Sequence, residues 1–410
     1  MFHYEDDRLF VEGVSVAAIA KAYGTPLFVY SRAKIESNYR EYAAGFGQRA
    51  HEICYAVKAN GNLAILDVLA RLGSAFDIVS GGELERVRAA GGELTTVTFA
   101  GVGKSRAEID LALAAGIGCF NIESAFELDL VSAAAVAGGC EAPVALRVNP
   151  DVDANTHPYI STGMSENKFG IPMTEAVALY RHAATLPGVR ITGVACHIGS
   201  QLTSIAPIVD AAGRVMALVE QLAADGIDVE HIDIGGGLGI AYGTTPPPRI
   251  ADYVAAICHA IPEPYRIIIE PGRSIVGDAG VLLTRIQQVK TTPAKSFAIC
   301  DAAMTELIRP ALYQAVHPIL PERRDGVVRR VDVVGPVCET ADFLGRDRDL
   351  VVDSGSLLAV ADCGAYAAAM ASNYNARPRP AEVLVDGADV HVCRERESVS
   401  ALFAGEHRLP

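Results

Sequence analysis

No stretch of this chain approaches the roughly 20 uninterrupted apolar residues that a membrane-crossing helix requires. Nor do Lys and Arg gather into a basic run anywhere along its 410 residues. The first absence leaves no candidate transmembrane segment. The second, with a formal net charge of −14, argues against a nucleic-acid-binding surface. The nine cysteines, at positions 54, 119, 140, 196, 258, 300, 338, 363 and 393, never fall in a Cys-x-x-Cys spacing. An odd, scattered set fits reduced thiols, so neither a disulfide framework nor a metal site is expected. The acidic opening Met1-Phe2-His3-Tyr4-Glu5-Asp6-Asp7 lacks the basic and apolar regions of a secretory signal, and a soluble cytoplasmic protein is expected. No solenoid repeat or low-complexity tract appears; Pro246-Pro247-Pro248 reads as a stiff loop entering a helix.

What is present is a rhythm. Hydrophobic residues make up 50% of the chain and charged residues 20%, the balance of an ordinary globular protein whose length suggests two domains. Short apolar runs recur at 53–57, 76–79, 97–100, 118–122, 144–148, 191–198, 231–234 and 266–269. Helical patterns lie between them, as at 62–71, 82–90, 106–115 and 208–224. Strands alternating with helices imply parallel pairing through right-handed crossovers. Eight such units suit a (β/α)8 barrel over residues 33–272, with a doubly wound open sheet as the alternative that periodicity leaves standing. After Ser274 the runs at 280–290, 297–301, 327–334, 350–353, 357–361 and 382–393 are β-rich with few long helices. Residues 273–410 therefore read as a second, β-rich domain, which the short strands of residues 1–32 join.

In a parallel barrel, chemistry collects where strands end and βα loops begin. The first run leads into Tyr55-Ala56-Val57-Lys58-Ala59-Asn60, which places a lysine at the end of a buried strand. Burial there would disfavour the ammonium and leave an amine suited to Schiff-base chemistry with an aldehyde cofactor. Asp77 lies within the second run and His197 within the sixth, and Gly235-Gly236-Gly237 follows the seventh. The eighth ends Glu270-Pro271-Gly272-Arg273. Glycines without β-carbons let backbone N–H groups approach an anion, and barrels often hold a phosphate between the loops after strands seven and eight. A short helix opening at the glycine run would add its dipole. A lysine for an aldehyde and a cradle for a phosphate together point to pyridoxal 5'-phosphate. That cofactor also needs a carboxylate at its ring nitrogen, for which Glu270 is the candidate, and a flat group against the ring, for which His197 is suited.

The chain resembles the fold-type III pyridoxal-phosphate-dependent decarboxylases nearly end to end, and among them the branch acting on meso-diaminopimelate. The resemblance rests on YAVKAN at 55–60, FDIVSGGEL at 76–84, NPDVDANTHPYISTG at 149–163, NKFG at 167–170, HIGSQ at 197–201, GGGLGI at 235–240 and EPGRSIVG at 270–277. RPALY at 309–313, GPVCETADFLG at 335–345 and GAYAAAMASNYN at 364–375 extend it into the second domain. It implies a barrel of the alanine-racemase-like type and a role for each matching residue. Lys58 would carry the cofactor aldehyde, Glu270 would face the pyridine nitrogen, His197 would stack on the ring and Asp77 would line the cofactor site. Ser200, Gly236, Gly237, Gly272, Arg273 and Tyr366 would surround the phosphate. Arg273, Arg309 and Tyr313 would grip the carboxylate the substrate keeps, Glu339 would take the ammonium beside it, and Tyr366 would contact the substrate as well. Cys338 would be the proton donor, reaching in from the second copy of a homodimer with shared active sites. Thr340-Ala341 and Cys363 depart from the usual pattern, where Ser-Gly and Ala are common.

The residue types suit a substrate with an amino-acid group at each end. Arg309 and Tyr313, four apart, would share one helix face and offer a guanidinium and a hydroxyl to a carboxylate, with Glu339 supplying the opposite charge. A decarboxylase of ornithine, arginine or lysine, or of a carrier-linked amino acid, is the alternative; it would find no far carboxylate to match Arg309. A racemase fits HIGSQ and Cys338-Glu339 less well. A catalytically silent binding protein would be expected to have lost Lys58 or Cys338, and both stand.

Overall fold

Eight of the apolar runs become eight parallel strands that close on themselves. The computed structural model describes residues 1–153, 168–243 and 246–410. Its barrel strands are β1 (His51–Ala56), β2 (Ala75–Ile78), β3 (Thr98–Phe99), β4 (Cys119–Ile122), β5 (Ala142–Asn149), β6 (Val189–Cys196), β7 (His231–Asp233) and β8 (Arg266–Ile269). Each pairs in parallel with the next, and Ile267–Ile269 of β8 pair back onto His51–Ile53 of β1. That last ladder removes the open-sheet alternative: the architecture is a (β/α)8 barrel.

Small residues fill parts of its interior. Cys54, Ala75 and Ile268 form one buried cluster, and Cys119, Ala145 and Ala195 another. Burial pushes the Cys119 thiol up to about 12, so it serves as a compact hydrophobe and not as a nucleophile. All nine cysteines are free thiols.

Three of the helices between the strands begin on serine caps. Ser80 accepts from the Glu83 N–H ahead of α1 (Gly81–Ala89). Ser105 and Glu108 form a reciprocal capping box ahead of α2 (Arg106–Ala115). Ser124 accepts from the Glu127 N–H ahead of α3 (Ala125–Gly138). Each cap satisfies an amide that a helix start leaves open and holds the preceding loop short. The triple proline leads into α4 (Ile250–Ala260), as expected.

The chain divides into two compact units: Asn38–Ile240 with Pro246–Ser274, which carry the barrel, and Met1–Ser37, Ala241–Thr245 and Ile275–Pro410. In the second unit strand Leu27–Ser31 lies between two others, antiparallel to Gly280–Thr291 and parallel to Ala381–Asp386. Leu27 and Val29 alternate into the same buried cluster as Val281, Leu283, Val383 and Val385. Strand Leu27–Ser31 thus shares a sheet with strands from the C-terminal part of the chain, while Phe2–Glu5, Arg8–Val11 and Val14–Ser15 form a small sheet of their own.

Candidate active site

Lys58 lies two residues beyond β1, in the single 3-10 turn Val57–Ala59, and not on the strand itself. Its surroundings also differ from the apolar burial the sequence implies. The amine donates to Asp77 Oδ2 at 2.7 Å; the carboxylate is fully buried and the lysine side chain is 36% exposed. Asp77 Oδ1 is buried without a hydrogen-bond partner. An amine fixed at the barrel mouth by a neighbouring strand is oriented and still reachable from outside.

Beside that pair the barrel carries two more acids. Glu270 follows β8 and Asp233 ends β7, both buried. The Asn121 amide on β4 donates to Asp233 Oδ2 at 3.0 Å and to Glu270 Oε1 at 3.3 Å. Burial, and then the nearby charges of Asp233 and Asp77, raise the Glu270 carboxyl well above its usual range. Burial raises Asp233 as well. Two acids held this close in a poorly solvated place call for a cation or a cationic N–H between them and the mouth. A pyridinium nitrogen meets that requirement.

The glycines after β7 bring bare backbone to the same mouth. Gly235 and Gly237 occupy the left-handed region, at φ 70° and 112°. A β-carbon on Gly236 would lie 2.1 Å from the Glu270 carbonyl oxygen, and one on Gly237 would lie 2.4 Å from that of Gly199. The Gly236 N–H donates to His197 Nδ1 at 3.2 Å, which fixes that nitrogen as an acceptor. Burial, with the charges of Arg147 and Lys58, holds the imidazole well below its usual value, so it is neutral. Arg273 Nη2 donates to Ser200 Oγ at 2.9 Å, linking the loops after β8 and β6. Gly272 packs on the Lys58 turn, where an added β-carbon would come within 2.9 Å of the Ala59 side chain.

One expectation fails here: no helix opens at the glycine run. Leu238 instead forms a parallel bridge with Leu202, and the Leu202 N–H donates to the Gly237 carbonyl at 2.8 Å. An anion at this place would be held by loop amides and side chains, without a helix dipole from that segment.

The other expected site residues lie in the second unit. Arg309 and Tyr313 stand at the two ends of the short helix Arg309–Tyr313, with the guanidinium 5.5 Å from the centre of the Tyr313 ring. Cys338 and Glu339 are exposed in the loop after strand Val328–Val334, where the Cys338 N–H donates to Asn375 Oδ1 at 3.1 Å. Tyr366 takes a left-handed backbone, φ 55°. The motif at 149–163 and the first residue of the one at 167–170 lie largely outside the described residues.

Sequence reasoning missed Asn121 and Asp233. Asn121 interrupts the apolar run Cys119-Phe120-Asn121-Ile122, and Asp233 stands between Ile232 and Ile234; a polar residue set among apolar strand neighbours was the available signal.

A lysine held by a carboxylate, a pair of buried acids sharing one amide and a bare-backbone loop define a barrel enzyme that uses pyridoxal phosphate. Residues 32–277 match the family described as "Pyridoxal-dependent decarboxylase, pyridoxal binding domain". The chain is 55% identical over 411 residues to the diaminopimelate decarboxylase of Pseudomonas aeruginosa, covering 100% of this chain and 99% of that one. Among solved structures it is similar to diaminopimelate decarboxylase from Helicobacter pylori complexed with L-lysine, at 39% identity and TM-score 0.93, covering 95% of this chain and 99% of that one. It is likewise similar to the M. jannaschii enzyme in co-complex with L-lysine, at 38% identity and TM-score 0.96, covering 100% of this chain and 98% of that one. The chain belongs to the pyridoxal-dependent decarboxylase family, in its diaminopimelate decarboxylase branch.

Proposed function

We propose that this protein removes CO2 from meso-2,6-diaminopimelate to give L-lysine, the last step of lysine biosynthesis, as a pyridoxal-phosphate-dependent carboxy-lyase. The observation that carries the reading is 55% identity over the whole chain to a diaminopimelate decarboxylase, joined to a Lys58–Asp77 pair at the mouth of the barrel. When bound, pyridoxal phosphate supplies an electron-poor ring that accepts the electron pair left as CO2 departs.

The chain's own residues do the rest. Lys58 offers its amine to the cofactor aldehyde, and Asp77 aims it. Glu270 holds the ring-nitrogen proton, backed by Asp233 and Asn121. Neutral His197 presents a flat face to the ring. Ser200, Gly236, Gly237, Gly272, Arg273 and Tyr366 bind the phosphate through amides, hydroxyls and one guanidinium. Arg273, Arg309 and Tyr313 take the carboxylate that is kept, and Glu339 takes its neighbouring ammonium. Cys338 returns a proton to the carbon that lost CO2, supplied by a second copy in a homodimer with shared active sites. Scattered free thiols suit work in the reducing cytoplasm. Among the described residues no helix is long and apolar enough to cross a membrane.

The test is CO2 release from meso-diaminopimelate, ornithine, arginine and lysine, each with and without added pyridoxal phosphate. Cofactor-dependent turnover of meso-diaminopimelate alone supports the reading; preference for any of the other three overturns it.

A further inference from the structure

Behind Arg309 lies a buried histidine that the expected site does not include. His317 is completely buried. Its Nδ1 lies 2.8 Å from the Ala361 carbonyl oxygen. A carbonyl only accepts, so the ring proton sits on Nδ1 and the lone pair of the neutral ring is on Nε2. That lone pair faces Arg309, whose Nε–H donates to it at 3.4 Å. Cys363 packs against the same edge, its Sγ 3.8 Å from His317 Nδ1 and 3.4 Å from the Ala361 oxygen.

Arg309 is held in its other directions as well. It is 5% exposed, and its guanidinium carbon stands 5.0 Å from the Tyr242 ring centre and 5.5 Å from that of Tyr313. Tyr242 also meets the His317 ring edge-on, at 5.0 Å and 67°. An arginine side chain loses much rotamer freedom when it is ordered, and two-point recognition of a carboxylate depends on the plane of the fork. An acceptor on Nε and two flanking rings set that plane before any ligand arrives.

We propose that His317 is a positioning residue for Arg309, and that its Nε2 lone pair orients the guanidinium toward the carboxylate the substrate keeps. This rests on the reading above that Arg309 receives that carboxylate. His317 touches neither substrate nor cofactor in this scheme, and acts only through Arg309. Cys363, one of the departures from the usual sequence pattern, is part of the packing that holds His317.

The experiment compares inhibition of the holoenzyme by L-lysine, which carries the carboxylate, with inhibition by cadaverine, which lacks it. His317→Phe keeps a ring without an acceptor. His317→Asn keeps an amide near the Nδ1 position but falls short of Arg309, whereas His317→Gln extends a carbonyl to about the Nε2 position. Loss of one charge-assisted hydrogen bond predicts a rise of roughly tenfold in KM for meso-diaminopimelate and in the L-lysine inhibition constant for the Phe and Asn variants. The cadaverine constant and the cofactor absorbance stay at wild-type values, and the Gln variant recovers most of the L-lysine affinity. Equal shifts for L-lysine and cadaverine, or equal L-lysine binding by the Asn and Gln variants, overturn the proposal. Arg309→Gln separates the two levels: if it weakens L-lysine while His317→Phe does not, only the positioning role fails. If Arg309→Gln leaves L-lysine binding unchanged, the reading of Arg309 fails as well.

Discussion

Lys58 Nζ lies 2.7 Å from Asp77 Oδ2, an exposed-side amine tied to a buried carboxylate on the next barrel strand. Asp77 orients the nucleophile, and its second oxygen has no partner to lose. Asp77→Ala should therefore leave thermal stability close to wild type. Uptake of pyridoxal phosphate, followed by visible absorbance, should slow roughly tenfold, the worth of one charged hydrogen bond. Unchanged uptake would show that Asp77 is a bystander.

Asn121 is the amide that both buried acids share. Asn121→Leu removes a donor from Asp233 and from Glu270 at once, leaving two buried acids under-satisfied. The expected loss of stability is on the order of 2–4 kcal/mol, with weakened cofactor binding. A denaturant titration and a cofactor titration read the two effects; a variant as stable as the wild type contradicts the shared-amide account.

Gly236 faces the Glu270 carbonyl too closely for any side chain, since a β-carbon would lie 2.1 Å away. Gly236→Ala must push the loop off β8, away from the place assigned to the phosphate. Cofactor affinity should fall at least tenfold, an expectation consistent with overpacking costs of about 1–3 kcal/mol. Equilibrium dialysis of pyridoxal phosphate checks it.

His231, at the start of β7, is buried with both ring nitrogens unpartnered, and burial lowers its value to about 3. The ring fits only because Gly193 lies opposite: a β-carbon there would come 2.3 Å from Nε2. The folded state holds this histidine neutral, whereas the unfolded chain protonates it near pH 6.5. Its contribution is complete above pH 6.5 and is lost as pH falls from there toward 3, at up to about 1.4 kcal/mol per pH unit. Denaturant midpoints measured from pH 7 to pH 4 should therefore fall more steeply for wild type than for His231→Leu. Parallel curves would count against it.

Much of this was legible in the sequence because barrel strands are short, apolar and evenly spaced. Lys58, Glu270 and the triple glycine stand just past strand ends, where side chains point at the mouth. Closure was not legible, since the same alternation serves an open sheet, and only the ladder between β8 and β1 decides. The environment of Lys58 was also hidden: a buried run suggests an isolated amine, while its real partner comes from the neighbouring strand. His317 escaped for a similar reason. It reaches Arg309 through a loop, eight residues on, without a helical or strand period to announce the contact.

Every role assigned at the barrel mouth depends on which amine carries the cofactor. Borohydride reduction of the holoenzyme locks the bond between lysine and cofactor aldehyde, and peptide mapping then locates it. The pyridoxyl mass should sit on the peptide containing Lys58, and Lys58→Ala should carry none and release no CO2. A label on any other lysine, or turnover without Lys58, would contradict the account.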